Sequence, residues 1–354
     1  MQEIEVGLIG FGFAGRVFHA PVISSVPGLR LAAIVQRHGE TARELYPDAR
    51  LLRSVDDLLS QKSIRLIVVA TPTASHFALV HQCLLHGRDV VVDKPFVTNS
   101  SEAIELLRLA RERDRILSVY QNRRWDGDFL TVRRLLQEGT LGELILYESH
   151  YDRYRPQLRP DAWREQPEPG SGIWFDLGAH LVDQAVVLFG MPEAVSADLR
   201  IERESAAVDD AFDVVLHYGK MRALLRASML VYAPTPRFRL HGTRGSFVKF
   251  GLDPQEEALK AGARPSQPDW GIEPEDKWGN LSLAGENKTN STRIATSAGD
   301  YRRYYENIRD AVSSSAALEV TSQQALNVMH LLEIACEASS RRCTVPITRI
   351  ATPA

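Results

Sequence analysis

Apolar residues divide the 354-residue chain into two differently patterned halves. Up to about residue 123, short and nearly unbroken apolar runs alternate with helical stretches. Ile4–Ile9, Leu31–Val35, Arg65–Ala70, Asp89–Val92 and Ile116–Tyr120 read as strands, and runs this continuous belong to parallel strands covered on both faces. Helices are expected from Arg16, with a kink or restart at Pro21, then after Ser54, over Ser75–His86 up to Gly87, and over Ser100–Arg113 with Asn99 and Glu102 as a cap. Such alternation implies right-handed βαβ units in a doubly wound sheet. Asp126–Glu138 reads as one more helix, and then the pattern changes. Leu144–Tyr151, Ala194–Ile201, Ala211–Tyr218, Met221–Leu230, Phe238–His241 and Ser246–Phe250 read as strands without regular intervening helices. Turn signals at Gly219-Lys220 and Gly242–Gly245 make this half a mostly antiparallel sheet with one face open. Residues 263–299 read as a long polar surface segment, and helices near Asp300–Ser314 and Ser322–Ser339 close the chain. The expected division is 1–123 and 124–354. An open sheet face with apolar residues predicts a homodimer or homotetramer through the second half.

Composition narrows the function classes. With 44% hydrophobic and 25% charged residues the chain is an ordinary globular protein. A formal net charge of −3 gives no basic footprint for nucleic acid, and no apolar run is long enough for a membrane span. The first strand begins almost at residue 1, so no signal peptide is expected. Cys83, Cys336 and Cys343 are few and scattered, which predicts no metal site, no disulfide framework and a reducing cytoplasmic setting.

The chemistry starts at Gly10-Phe11-Gly12-Phe13-Ala14-Gly15, between the first strand and the first helix. In that context G-x-G-x-x-G is a dinucleotide fingerprint: one glycine for the turn, one for approach of the pyrophosphate, one for helix packing. The N-terminal domain is therefore read as a Rossmann domain. The second strand ends in Gln36-Arg37, where NAD-specific domains carry an acid. The arginine fork suits a 2′-phosphate, so NADP is favoured, with NAD possible. Ligands in such sheets lie beyond the carboxyl ends of the strands, which singles out Thr71–His76, Asp93–Pro95 and Gln121–Trp125. In the second half, Asp176 and His180 share a helix face at i, i+4, and histidine is the usual proton carrier near neutral pH.

Gly10–Gly15, Asp93-Lys94-Pro95 and Asp176–His180, in this order, resemble the Gfo/Idh/MocA oxidoreductases over the whole chain. Val119–Asp126, Arg153-Tyr154-Arg155-Pro156 and Trp163-Arg164-Glu165 resemble more closely its NADP-dependent scyllo-inositol dehydrogenase branch. The usual Glu-Lys-Pro is here Asp-Lys-Pro. The resemblance implies a C-terminal α/β domain and a catalytic set of Lys94, Asp176 and His180, with His180 as general base and Asp176 orienting substrate or histidine. It implies cofactor contacts at Gly10, Phe11, Gly12, Phe13, Ala14, Gly15, Arg37, Thr71, Pro72, His76, Lys94, Pro95, Asn122, Trp163 and Arg164. Arg123, Tyr151 and Arg153, with Asp176 and His180, would meet a small polyhydroxylated substrate. The expected activity is that of an NADP-dependent dehydrogenase or reductase acting on CH–OH groups. Other readings are a reductase of a different carbonyl compound and a non-catalytic NADP-binding sensor.

Overall fold

Two sheets organise the computed structural model, which describes residues 3–159, 162–285, 289–314 and 316–347. The first contains β1 (Ile4–Ile9), β2 (Leu29–Val35), β3 (Arg50–Leu52), β4 (Ile64–Val69), β5 (Asp89–Val92) and β6 (Leu117–Val119). All its pairings are parallel, in the order β3-β2-β1-β4-β5-β6. Every residue of β5 is buried, as the apolar run predicts. The connections are α1 (Ala20–Ile23), α2 (Thr41–Leu45), α3 (Val55–Leu59), α4 (His76–Leu85) and α5 (Ser100–Glu112). The caps form as expected: Ser54 Oγ accepts from Asp57 N at 3.1 Å, and Asn99 Oδ1 from Glu102 N at 3.0 Å. At Pro21 the expected break takes the form of a π-helical turn, Gly15–His19, running into α1 with proline in its first turn. The strand order reverses between β1 and β4, which opens a crevice at their carboxyl ends.

After α6 (Gly127–Gln137) comes the second sheet: β7 (Leu144–His150), β8 (Ala194–Arg200), β9 (Ala211–Tyr218), β10 (Met221–Ser228), β11 (Pro236–Gly242), β12 (Gly245–Phe250), β13 (Gly279–Ala284), β14 (Thr289–Ile294) and β15 (Val345–Pro346). Its nine strands run β14-β13-β12-β11-β7-β10-β9-β8-β15, with β7 and β10 parallel and the other pairs antiparallel. Helix α7 (Ala179–Phe189) and helix α10 (Ser322–Arg341) share one core with the inner face of this sheet, and that core continues into the first sheet. The outer face is mixed: Leu146, Val215 and Leu224 lie half-buried beside Glu148, Asp213 and Arg226.

One expectation needs correction. Residues 263–299 are not simply a surface segment, because β13 and β14 form a hairpin that extends the sheet. Its polar alternation hides it: in β13 only Gly279 and Leu281 are buried. The same segment carries Glu273, which accepts from Lys249 Nζ at 2.9 Å in a buried pair. Helix α8 (Gln255–Lys260) was also not anticipated. Further on, α9 (Arg302–Ser314) follows the second sheet in sequence yet packs against the first, with Tyr301, Tyr305 and Ile308 buried beside Val6 and Leu8.

Candidate active site

The glycine loop at the end of β1 is shaped by what its neighbours forbid. Gly10 has φ +96°, and a Cβ there would lie 2.5 Å from Ala70 O; a Cβ at Gly15 would lie 2.1 Å from Gly10 O. Around a Cβ at Gly12, by contrast, there is nothing within 4 Å, and this residue lines a cleft. Gly10 and Gly15 thus make the turn and the close packing, while Gly12 leaves the open space that a pyrophosphate requires beside a helix start. Phe11 packs its ring edge-on against Tyr46 at 5.9 Å, leaving only its backbone for a ligand. Arg37, just past β2, is exposed and has no hydrogen bond or ion pair among the described residues. The loop and this free cation fit a nicotinamide dinucleotide.

The cleft has a volume of about 660 Å³. Gly12, Phe13, Ala14, Thr71 and Pro72 form its wall on the first sheet. Arg153, Trp163, Arg164, Asp176 and His180 come from the second half, and Lys94, Asn122 and Arg123 lie where β5 and β6 end. Lys94 Nζ donates to Asp176 Oδ1 at 2.8 Å and to Asp176 O at 2.9 Å. Arg164 Nε donates to the same Oδ1 at 2.9 Å, and its guanidinium sits 4.5 Å over the Trp163 ring. Burial would raise the Asp176 carboxyl, but Lys94 and Arg164 outweigh it and hold it well below the usual carboxylate range. Of the two roles expected for Asp176, orienting substrate or histidine, no hydrogen bond to His180 is seen among the described residues: two cations take its carboxylate, and it fixes the lysine.

His180 follows a π-helical turn, Trp174–Gly178, at the start of α7. Asp209 anchors that start, accepting from Trp174 N at 2.6 Å, with its carboxyl raised to about 6 by burial. The imidazole is almost fully buried, and Nδ1 has no partner among the described residues. Nε2 is then the nitrogen open to the cleft. Burial first, and Lys94 and Arg123 after it, push the imidazole well below 6.5, with Asp176 only partly opposing them. The ring is therefore neutral at pH 7 and able to accept a proton.

Three predicted contact residues stand behind the cleft rather than in it. His76 is buried and bonds Thr71 O at 2.9 Å and Pro95 O and Phe96 O at 3.1 Å each, so it ties two cleft loops together. Pro95 is buried. Tyr151 is 2% exposed, with Arg237 stacked 4.1 Å from its ring centre and Arg123 at 5.5 Å. Burial pushes its phenol up to about 12. Arg123 does line the cleft, but Glu256 and Asp126 engage its guanidinium, and it donates to Tyr301 Oη at 3.2 Å. Glu256, Lys260, Arg155 and Arg159 also line the cleft and were not singled out from sequence. The Arg153-Tyr154-Arg155 alternation was the available signal for Arg155. Nothing local marks Glu256, whose partner Arg123 is remote in sequence.

Comparisons with known proteins agree with this geometry. Residues 4–121 match the model of an oxidoreductase family NAD-binding Rossmann fold, and 133–347 that family's C-terminal alpha/beta domain. The chain is 46% identical to the uncharacterized oxidoreductase YdgJ of Escherichia coli, covering 97% of this chain and 99% of that one. It is 37% identical to the scyllo-inositol 2-dehydrogenase (NADP(+)) IolW of Bacillus subtilis, over 98% and 96% of the two chains. Among solved structures, the Bacillus subtilis oxidoreductase yvaA superposes with a TM-score of 0.95 at 36% identity, covering 98% and 99%.

Proposed function

The chain belongs to the Gfo/Idh/MocA oxidoreductase family, and on that premise we propose that it moves a hydride between NADP, in preference to NAD, and a secondary alcohol or ketone carbon of a cyclitol or sugar. The carrying observation is Lys94, locked to Asp176, which Arg164 also binds, in one cleft with a neutral His180 and the open Gly12. When bound, the nicotinamide supplies the hydride chemistry; the protein supplies orientation and proton handling. Gly12, Phe13 and Ala14 would hold the phosphates, Arg37 the 2′-phosphate, and Thr71, Pro72, Asn122, Trp163 and Arg164 the remainder. In oxidation, His180 Nε2 takes the hydroxyl proton. Lys94 Nζ hydrogen-bonds the reacting oxygen, and Asp176 with Arg164 keeps the ammonium in place.

A pH profile tests the proton step. A base held below 6.5 stays unprotonated as the pH falls past 6.5. The value of kcat/KM for oxidation should therefore hold level through pH 6.5 and fall only at lower pH, through the depressed His180 value. A decline already centred at the ordinary histidine value would contradict the burial argument. For the cofactor, Arg37→Asp should shift the NADPH/NADH preference toward NADH by roughly ten- to a hundredfold, since it removes a charge-assisted contact and adds repulsion. An unchanged ratio would remove Arg37 from cofactor choice.

The proposal includes a homodimer or homotetramer assembled through the outer face of the second sheet, supported by half-buried Leu146, Val215 and Leu224. Light scattering that returns a monomer mass would contradict it. It also includes a cytoplasmic setting, in keeping with free Cys83, Cys336 and Cys343, which cell fractionation checks. No helix among the described residues is long and apolar enough to cross a membrane.

A further inference from the structure

Backbone pairing with β10 and the residues after it does not stop at the end of β7. Tyr151 N, Arg153 N and Arg155 N donate to Arg226 O, Ser228 O and Met229 O at 3.0, 2.9 and 2.7 Å. The pairing changes hand on the way, from the parallel ladder of β7 and β10 to an antiparallel bridge between Tyr154 and Leu230, and the contacts of each side chain show which side it takes. Tyr151 lies on the site side, its ring centre 6.4 Å from that of His180. Arg153 and Arg155 follow it on that side and both line the cleft. Asp152 and Tyr154 turn away, Asp152 toward a separate groove with His150 and Tyr154 onto the Tyr232 ring at 4.9 Å.

Among the described residues these two arginines are the cations of the cleft that no carboxylate contacts directly, although Asp176 and Glu256 act on them from a distance. Asp176 is taken by Lys94 and Arg164, and Glu256 by Arg123 and Lys260. Asp93 lies 3.7 Å from His19 Nε2 and accepts from Lys94 N, while Arg159 is paired with Glu165. The side chains of Arg153 and Arg155 have neither hydrogen bond nor ion pair among the described residues. Burial first, and the neighbouring Arg153 and Arg159 after it, lower the Arg155 guanidinium from its ordinary value, with Glu256 and Asp176 only partly opposing them. An incoming oxyanion would relieve that crowding, and two guanidinium forks suit it. The glycine loop already offers the cofactor's phosphates a place on the opposite wall, at the end of β1. The arginine pair stands on the wall that carries Asp176 and His180.

We propose that the preferred substrate is an anionic polyol, a sugar or cyclitol whose single carboxylate or phosphate is held by Arg153 and Arg155 while a secondary hydroxyl at its other end meets His180. This rests on the polyol-dehydrogenase reading above and narrows it.

The test compares kcat/KM of the NADP-loaded enzyme for a neutral hexose, the matching aldonate and the matching hexose monophosphate. At least one anion should exceed the neutral sugar by about tenfold or more, and which of the two does so identifies the group. Arg155→Met should cost that anion roughly ten- to a hundredfold, mainly in KM, and cost the neutral sugar clearly less. A neutral sugar preferred over both anions, or equal losses for all three, would overturn the proposal. If no polyol turns over, the dehydrogenase reading fails separately, and binding decides the site. Calorimetric titration of inorganic phosphate into protein saturated with NADP should show binding that Arg155→Met weakens. Binding that is absent, or indifferent to Arg155, overturns the anion site.

Discussion

His180→Ala is expected to lower kcat for polyol oxidation by roughly 10²–10⁴, the usual worth of a positioned proton acceptor. The fold should survive, because among the described residues the imidazole gives up no hydrogen bond: its Nδ1 has no partner there and its Nε2 faces the cleft. An unaltered circular dichroism spectrum and an intact NADPH-binding isotherm would separate lost chemistry from lost structure. The acid limb of the pH profile should go with the residue, since that limb belongs to the histidine. A variant that keeps its kcat would show that another group carries the proton.

Lys94→Met is the second large effect. It removes the donor proposed for the reacting oxygen, and loss of one such preorganised donor costs about 10²–10³ in kcat. Two further consequences distinguish this variant from a merely damaged protein. Lys94 is one of the charges that depress His180, so any residual activity should show its acid limb moved to higher pH. Asp176 keeps Arg164 as a partner, so its carboxylate is not left alone in the buried site. Lys94→Arg should restore little, because a planar fork does not reproduce a compact ammonium bonded at once to Asp176 Oδ1 and Asp176 O. A kcat within a few-fold of the wild type would place Lys94 outside the chemistry.

Local signals in the sequence were enough for much of this. The unbroken apolar runs located β1, β4 and β5 to within a residue, since strands buried on both faces leave no polar alternation. The roles of Gly10, Gly12 and Gly15 follow from their spacing, and the space around each agrees with it. What the sequence hid was contact across long separations. Asp176 and His180, four apart, suggested a carboxylate–imidazole pair, but Lys94 lies 82 residues from Asp176 and wins it by charge. Asp209 reaches back 35 residues to Trp174 N, and Glu256 reaches 133 residues to Arg123. Tyr151 has the composition of a sugar platform, yet the two arginines stacked on it and its near-complete burial make it a wall. The β13–β14 hairpin is hard to see in the sequence because the edge strand β14, Thr-Asn-Ser-Thr-Arg-Ile, carries no hydrophobic period and the alternation in β13 amounts to Leu281 and Leu283.

The most direct test of the account is absorbance at the reduced-nicotinamide band. Purified protein is mixed with NADP or NAD and, in turn, scyllo-inositol, myo-inositol and a panel of neutral and acidic sugars. The account predicts NADPH formation with at least one polyol, faster than NADH formation with the same substrate. Tight binding of NADPH with no turnover anywhere on the panel would contradict it.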